Sequence, residues 1–308
     1  MEIKSVAILG AGAVGSYLIW GLSEKPEIDL CVVADGQRKQ RMEQDGFLIN
    51  DRVYRPAVKT PAEAHGADLL IVALKYNALR PALEDIAAVT DEHTVIMSLM
   101  NGVDSEDIIA ERVGMEHVLH AMIKIASERK GNAVRFAPET TIGMVYGEAD
   151  LSRGSQRVEA LNRLFTGTPL HFRATDKIRL EIWNKYRLNI SINQVQAILG
   201  CGAGIYRDSE HAIFLRDQLK KEAEAVALAY GVDLSVLEGQ SAKGCPVKDT
   251  ARYSTLQDLD AGRATEVDML AGALVRMGRE KGVPTPFNEF AYHMIKCLEE
   301  KNRGMFNY

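Results

Sequence analysis

Cysteine is scarce in this chain. Four residues, Cys31, Cys201, Cys245 and Cys297, are spread over 308 positions with no C-x-x-C pair. That spacing suggests neither a zinc site nor a disulfide framework. Histidine is thin as well: seven residues, with no H-E-x-x-H or other short ligand spacing, so no metal site is expected. A basic excess is missing, since 37 Lys and Arg stand against 42 Asp and Glu for a net charge of −5. Nothing in that balance recruits nucleic acid or an anionic membrane, although a local basic pocket for a small anion is compatible with it. No apolar run reaches about 18 residues, so no membrane span is expected. Met1-Glu2-Ile3-Lys4 leads straight into a strand-like run, without the opening of a secretory signal. What is present is ordinary globular composition, 46% hydrophobic and 26% charged, which excludes a disordered or collagen-like chain. At roughly 100–200 residues per domain the length makes about two domains. The expectation is a cytoplasmic, reduced, two-domain protein.

The first half alternates short apolar runs with helical patterns. Val6–Leu9, Ile28–Ala34, Leu69–Leu74 and Thr94–Leu99 read as buried strands, with helices over Val14–Leu22 and Leu83–Val89. Continuous apolar strands separated by helices predict a parallel sheet covered on both faces. Val118–Ala126, Ala133–Phe136 and Thr141–Tyr146 add closer, partly antiparallel strands. A polar, loop-like stretch at 148–157 precedes a helix near 157–165. From Asp176 the patterns turn helical, with runs at 177–199, 209–230, 254–280 and 286–300. Gly231, Gly244 and Gly282-Val283-Pro284 punctuate them as helix stops. The predicted fold is α/β: a Rossmann-type dinucleotide-binding domain over 1–174, then an all-α domain over 175–308.

Gly10-Ala11-Gly12-Ala13-Val14-Gly15 fits G-x-G-x-x-G, and it lies between a predicted strand and a predicted helix. In that setting the first glycine permits a tight turn and the second lets backbone approach a pyrophosphate. The third lets helix pack on strand, and the helix N-terminus offers N–H groups to the anion. Asp35 lies 20 residues after Gly15, where a carboxylate bonds the adenosine ribose 2′-hydroxyl and selects NADH. Arg38 and Arg41 are near enough to suit the 2′-phosphate of NADPH instead. Ala34-Asp35-Gly36 is also good turn chemistry with no ligand at all, so these readings stay open.

In the helical half, Lys185, Asn189 and Asn193 recur at i, i+4 and i+8 and form one polar stripe, with Gln196 close to the same face. A lysine and two amides need partners if buried; a solvated helix edge is the plainer reading. Ser254 with Gln257 fits an S-x-x-Q capping box, and Glu266 follows in the same segment, where a solvated carboxylate is equally compatible. The apolar stripes of 209–230 and 254–280 suit a monomer core or a homodimer seam.

These motifs together resemble the ketopantoate reductase (2-dehydropantoate 2-reductase) family. The likeness spans nearly the whole chain through Gly10–Gly15, Leu74-Lys75, Asn101-Gly102, Trp183-x-Lys185, Asn189, Asn193, Ser254-x-x-Gln257-Asp258 and Arg263-x-x-Glu266. The resemblance implies a Rossmann domain joined to a helical domain like that of 6-phosphogluconate dehydrogenase. It implies NADPH- or NADH-dependent reduction of 2-dehydropantoate, a small 2-oxo acid, in pantothenate biosynthesis. On that pattern Lys185 is the general acid and Glu266 holds Lys185, the nicotinamide ribose or the substrate. Asn189, Asn193, Ser254 and Asp258 bind substrate, and Lys75 and Asn101 line the nicotinamide end. Two departures stand out. The family commonly carries Arg where this chain has Asp35, which shifts the expectation from NADPH toward NADH. The family usually follows its second stripe asparagine with a Pro-Leu-Thr-Ala type sequence. Here Gln194-Val195-Gln196-Ala197 stands instead, which would admit another branched 2-oxo acid.

Overall fold

The computed structural model describes residues 1–149, 156–237 and 248–308. Gly244, Cys245 and most of the 148–157 stretch therefore lie outside the described residues. The chain divides into two compact units, Met1–Arg179 and Leu180–Tyr308.

The strands of the first unit are β1 (Ser5–Leu9), β2 (Asp29–Val33), β3 (Phe47–Ile49), β4 (Arg52–Tyr54), β5 (Ala57–Lys59), β6 (Leu69–Val72), β7 (Val95–Ser98), β8 (Val118–Lys124), β9 (Ser127–Lys130), β10 (Ala133–Phe136), β11 (Gly143–Gly147) and β12 (Phe172–Ala174). Its helices are α1 (Ala13–Leu22), α2 (Gly36–Asp45), α3 (Leu83–Val89), α4 (Ser105–Val113) and α5 (Gln156–Phe165). Eight strands form one sheet in the order β12-β11-β8-β7-β6-β1-β2-β5. Every pair from β8 to β5 is parallel, β11 runs antiparallel to β8, and β12 closes that side parallel to β11. Side chains alternate along a strand, and β1 uses both faces. Val6 and Ile8 join Tyr17, Leu18 and Leu22 of α1, while Ala7 and Leu9 join Ile86 of α3 and Ile109 of α4. Burial on both faces is why these strands read as unbroken apolar runs.

A second sheet, β4-β3-β10-β9, packs on α1, where Tyr17 and Trp20 each meet Phe136 edge-on at 5.3 Å. The sequence reading left out β3, β4, β5, β9, β12, α2 and α4. Three-residue strands are too short to display a period. The polar α2 buries no residue and so carries no apolar stripe. Thr141 is not strand: Pro138–Thr140 is a 3₁₀ turn and β11 starts at Gly143.

The second unit holds most of α6 (Ile178–Leu199), then α7 (Ile205–Asp208), α8 (Glu210–Ala229), α9 (Ser254–Asp260), α10 (Ala273–Lys281) and α11 (Pro286–Asn302). The expected continuous helix over 254–280 is broken. After α9 the chain turns at Gly262, whose φ of +63° is left-handed, and Arg263 N–H returns to the Asp258 carbonyl at 2.8 Å. A π-helical turn at Asp268–Gly272 then leads into α10. The apolar period survived the break because Leu256 and Leu259 before it and Val267 and Ala271 after it bury into one cluster. The capping box is not formed either. Tyr253 is the N-cap of α9 and no side chain caps it, while the Gln257 amide donates to the Arg252 carbonyl at 2.7 Å. Gly282 does end α10 in a left-handed conformation. Among the described residues no helix is long and apolar enough to cross a membrane.

Candidate active site

In the first unit the carboxyl ends of β7, β6, β1 and β2 lie side by side. They carry Asn101, Lys75, the Gly10–Gly15 loop and Asp35 in that spatial order, so four sequence-predicted features share one rim. At about 4.8 Å between neighbouring strands the rim spans about 14 Å. It straddles β1, whose two neighbours β2 and β6 follow it on opposite sides. Ligands collect at such a switch point.

The three glycines differ in what surrounds them. A Cβ on Gly10, at φ +107°, would stand 2.5 Å from the Ala73 carbonyl oxygen, and one on Gly15 would stand 2.0 Å from that of Gly10. Both positions are closed by protein backbone. Gly12, half-buried, has nothing within 4 Å of where its Cβ would lie, so its backbone has open space for close approach by a ligand. The N-terminus of α1 has no side-chain cap and no acidic residue in its first turn. Its unpaired N–H groups and helix dipole suit an anion. Ala11, Ala13 and Val14, all half-buried, complete a cradle that fits a dinucleotide pyrophosphate.

Asp35 is the N-cap residue of α2, but its carboxylate makes no capping bond. Turn chemistry thus accounts for its backbone and leaves the exposed side chain to be explained. Sequence reasoning missed Asp85, in the first turn of α3. Burial, and then the nearby Asp35 charge, push its carboxyl up, while Arg38 pulls it down. Asp35, Arg38 and Asp85 therefore share one electrostatic neighbourhood. Nothing in the motif spacing marks Asp85.

The end of β7 and the start of α4 hold a second missed group. Ser105 Oγ donates to Glu106 Oε2 at 2.8 Å and lies 2.8 Å from Ser98 Oγ. Ser105 has one proton, so with Glu106 ionised the Ser98 hydroxyl donates to Ser105. Glu106 is buried, and burial lifts its carboxyl to about 7.

In the second unit Lys185 and Asn189 are half-buried and Asn193 is buried on α6. The helix is fastened at both ends of this stripe. Beside Lys185, the Tyr186 hydroxyl donates to the Leu270 carbonyl at 2.7 Å, four residues beyond Glu266. Past Asn193, the Gln196 amide donates to the Ala251 carbonyl at 2.9 Å and accepts from Tyr253 N–H at 2.6 Å, next to Ser254. At 1.5 Å per residue the stripe covers about 12 Å. Lys185 is thus level with the segment bearing half-buried Glu266, and Asn193 with that bearing exposed Ser254. Asp258 is buried and paired with Arg263 at 2.7 Å.

Gln196 does not extend the polar stripe. It is fully buried and both its amide atoms are used, because the loop before α9 would otherwise leave backbone groups unpaired. Gln194 is fully buried too, donating to the Ile190 carbonyl and to Asn288 Oδ1 at 3.0 and 3.1 Å. The two glutamines anchor the helix internally.

The parallel sheet with its glycine cradle, followed by a helical unit with a fastened lysine stripe, defines a Rossmann-type dinucleotide-binding oxidoreductase. The family pattern for ketopantoate reductase PanE/ApbA matches residues 6–148, and that for its C-terminal part matches 177–299. A 2-dehydropantoate 2-reductase of Mesorhizobium japonicum is 30% identical, covering 98% of this chain and 99% of that protein. A PanE/ApbA family ketopantoate reductase from Ralstonia eutropha superposes with a TM-score of 0.79 at 26% identity, over 97% of this chain and 99% of that one. D-Mandelate dehydrogenase, solved with NADH and anilino(oxo)acetate, has the same fold, with a TM-score of 0.81 at 24% identity over 97% and 99% of the two chains. This chain belongs to the ketopantoate reductase PanE/ApbA family.

Proposed function

We propose that this protein is a 2-dehydropantoate 2-reductase of the cytoplasm, reducing the ketone of 2-dehydropantoate to the alcohol of pantoate. The observation that carries the reading is the Lys185–Asn189–Asn193 stripe, fastened level with Glu266 and Ser254, in a chain of this family. Residues 1–174 hold the nicotinamide cofactor and residues 175–308 bring the acid and the substrate contacts. A reduced nicotinamide held there would supply the hydride that the carbonyl carbon accepts. Lys185 donates a hydrogen bond to the ketone oxygen, stabilises the negative charge that grows there, and delivers the proton that completes the alcohol. An ammonium suits this step because it carries both charge and proton. Glu266 orients Lys185. Asn189 and Asn193 hold the polar groups of the substrate, with Ser254 and Asp258 at its carboxylate end; Asp258 acts through its ion pair with Arg263. Gly10 to Gly15 cradle the pyrophosphate, while Lys75 and Asn101 border the nicotinamide end.

NADH is the proposed cofactor. Asp35 and Asp85 together make the ribose end acidic, and a 2′-phosphate there would meet repulsion that Arg38 only partly offsets. The decisive assay mixes purified protein with 2-dehydropantoate and NADH or NADPH and follows loss of the reduced nicotinamide absorbance. Turnover with NADH preferred is expected; folded protein that oxidises neither cofactor overturns the reading. A second reading, another branched 2-oxo acid, drew on Gln194 and Gln196, and their internal bonding removes that support. A panel of 2-oxo acids ranked by kcat/KM checks it. A homodimer is part of the proposal, since α8 leaves Phe214, Leu215 and Leu228 exposed; sedimentation at two concentrations tests it.

A further inference from the structure

Glu266 belongs to a short segment that α11 holds from both sides. On one side Thr265 is tied to Glu299: its N–H donates to Glu299 Oε1 at 2.6 Å and its hydroxyl to the same oxygen at 2.7 Å. The Thr265 hydroxyl in turn accepts from Val267 N–H at 3.2 Å, bridging over Glu266 itself. On the other side, Asp268 Oδ1 accepts from the Tyr292 hydroxyl at 2.9 Å and Oδ2 from Lys296 Nζ at 3.2 Å. Lys296 joins the halves, since its ammonium is also 3.1 Å from Glu299 Oε2. Burial alone would lower the Lys296 ammonium, but the Glu299 bond and the Asp268 charge outweigh it and hold it above the ordinary lysine range. Thr265 and Glu299 are both buried. A buried carboxylate is tolerated only when charges and hydrogen bonds satisfy it, and here two donors from Thr265 and one ammonium do so.

We propose that Lys296 and Glu299 of α11 are positioning residues for Glu266, acting through Thr265 and Asp268. The inference rests on the reading of Glu266 as part of the reductase site. On each side of Glu266 a charge-assisted bond ties the segment to the same helix, through the Thr265 N–H and hydroxyl on one side and the Asp268 carboxylate on the other, which limits where the Glu266 carboxylate can reach. Downstream, the segment continues into the π-helical turn Asp268–Gly272, whose Leu270 carbonyl accepts from Tyr186, the neighbour of Lys185. The Lys296–Glu299 clamp and the Tyr186 bond therefore set both members of the Lys185–Glu266 pair from one stretch of backbone. None of these residues stands in a sequence motif for catalysis. Lys296 and Glu299 are an i, i+3 pair on a helix, a spacing that a plain surface pair would share.

The test compares Glu299→Gln, Lys296→Met, Thr265→Val and Thr265→Ser with the wild type. For each, kcat and KM are measured for both substrates well below the melting temperature, with amide hydrogen exchange over residues 265–270. A misplaced catalytic group loses about ten- to a hundred-fold in rate. That loss is expected in kcat for Glu299→Gln and Thr265→Val, with the cofactor KM unchanged and faster exchange confined to 265–270. Lys296→Met lowers kcat less, because the Thr265 bonds survive. Thr265→Ser, which keeps the hydroxyl, restores near wild-type kcat. Should exchange quicken while every variant keeps wild-type kcat, the clamp is structural and the proposal is overturned. Unaltered exchange in Glu299→Gln overturns it as well. Wild-type protein that binds NADH and reduces no 2-oxo acid is a different failure: the reductase reading falls, and this role falls with it.

Discussion

The two units handle their ligand groups with different parts of the chain. In Met1–Arg179 the cradle is made of backbone: glycine positions, helix N–H groups and strand ends, with side chains such as Asp35 and Asp85 only trimming the choice. In Leu180–Tyr308 the candidate site is made of side chains, most of them on helices. Buried bonds from elsewhere in that unit fasten the segments that carry them, such as Tyr186 to Leu270 or Thr265 to Glu299. A backbone site fails when atoms are added to it. A side-chain site fails when atoms or charges are removed. That contrast separates cofactor affinity from chemistry and makes the two halves testable apart.

The largest expected effect is in the helical unit. Lys185→Ala should lower kcat by about 10²- to 10⁴-fold with NADH affinity, followed by nicotinamide fluorescence, unchanged. Full retained rate would remove the general acid and favour a dinucleotide-binding sensor without turnover. The backbone unit should respond oppositely. Gly15→Ala forces a Cβ against the Gly10 carbonyl and should destabilise the fold by about 1–3 kcal/mol, seen as a lower Tm. Gly12→Ala, with open space around it, should leave Tm alone and weaken NADH binding; equal effects from both variants would break the comparison.

A smaller effect belongs to Glu106, whose carboxyl rises from 4.5 to about 7 on burial. A raised acid means that the folded state holds the proton more tightly than the unfolded state. Its contribution to stability is full below pH 4.5 and is lost as pH climbs toward 7. Glu106→Gln should abolish that slope and leave the protein more stable than wild type at pH 8, by on the order of 2 kcal/mol. Melting curves at pH 5 and pH 8 check the sign. The smallest shift is in cofactor choice. Asp35→Asn with Asp85→Asn should move kcat/KM toward NADPH by about ten-fold, or roughly 1.4 kcal/mol. No movement would mean that these carboxylates do not face the ribose.

Much of the first unit was legible because its rules are local. Buried parallel strands are continuous apolar runs, and a glycine loop between strand and helix has one common use. The short strands β3 to β5 were not legible, because pairing across the small sheet and the β2 edge, rather than their own sequence, makes them strands. In the helical unit the Lys185–Asn189–Asn193 spacing was visible, yet spacing alone could not tell a site from a solvated edge. The capping box at Ser254 and the unbroken helix through 254–280 were both local inferences overruled by tertiary bonds: Gln196 claims the Tyr253 N–H and the Asp258 carbonyl claims Arg263. Gln196 itself looked like part of the stripe until its two bonds placed it inside.

Sequence by itself determined the two-part organisation and the position of the glycine loop and the lysine stripe, because each depends on residue type and near-neighbour spacing. Tertiary structure decided that Gly12, among the three glycines, has open space for a ligand. It also brought Asp85 into reach of Asp35, put Glu106 in a buried serine chain, and tied Thr265 and Asp268, on either side of Glu266, to α11. These facts join residues tens of positions apart, and only the folded packing of strands and helices sets those distances.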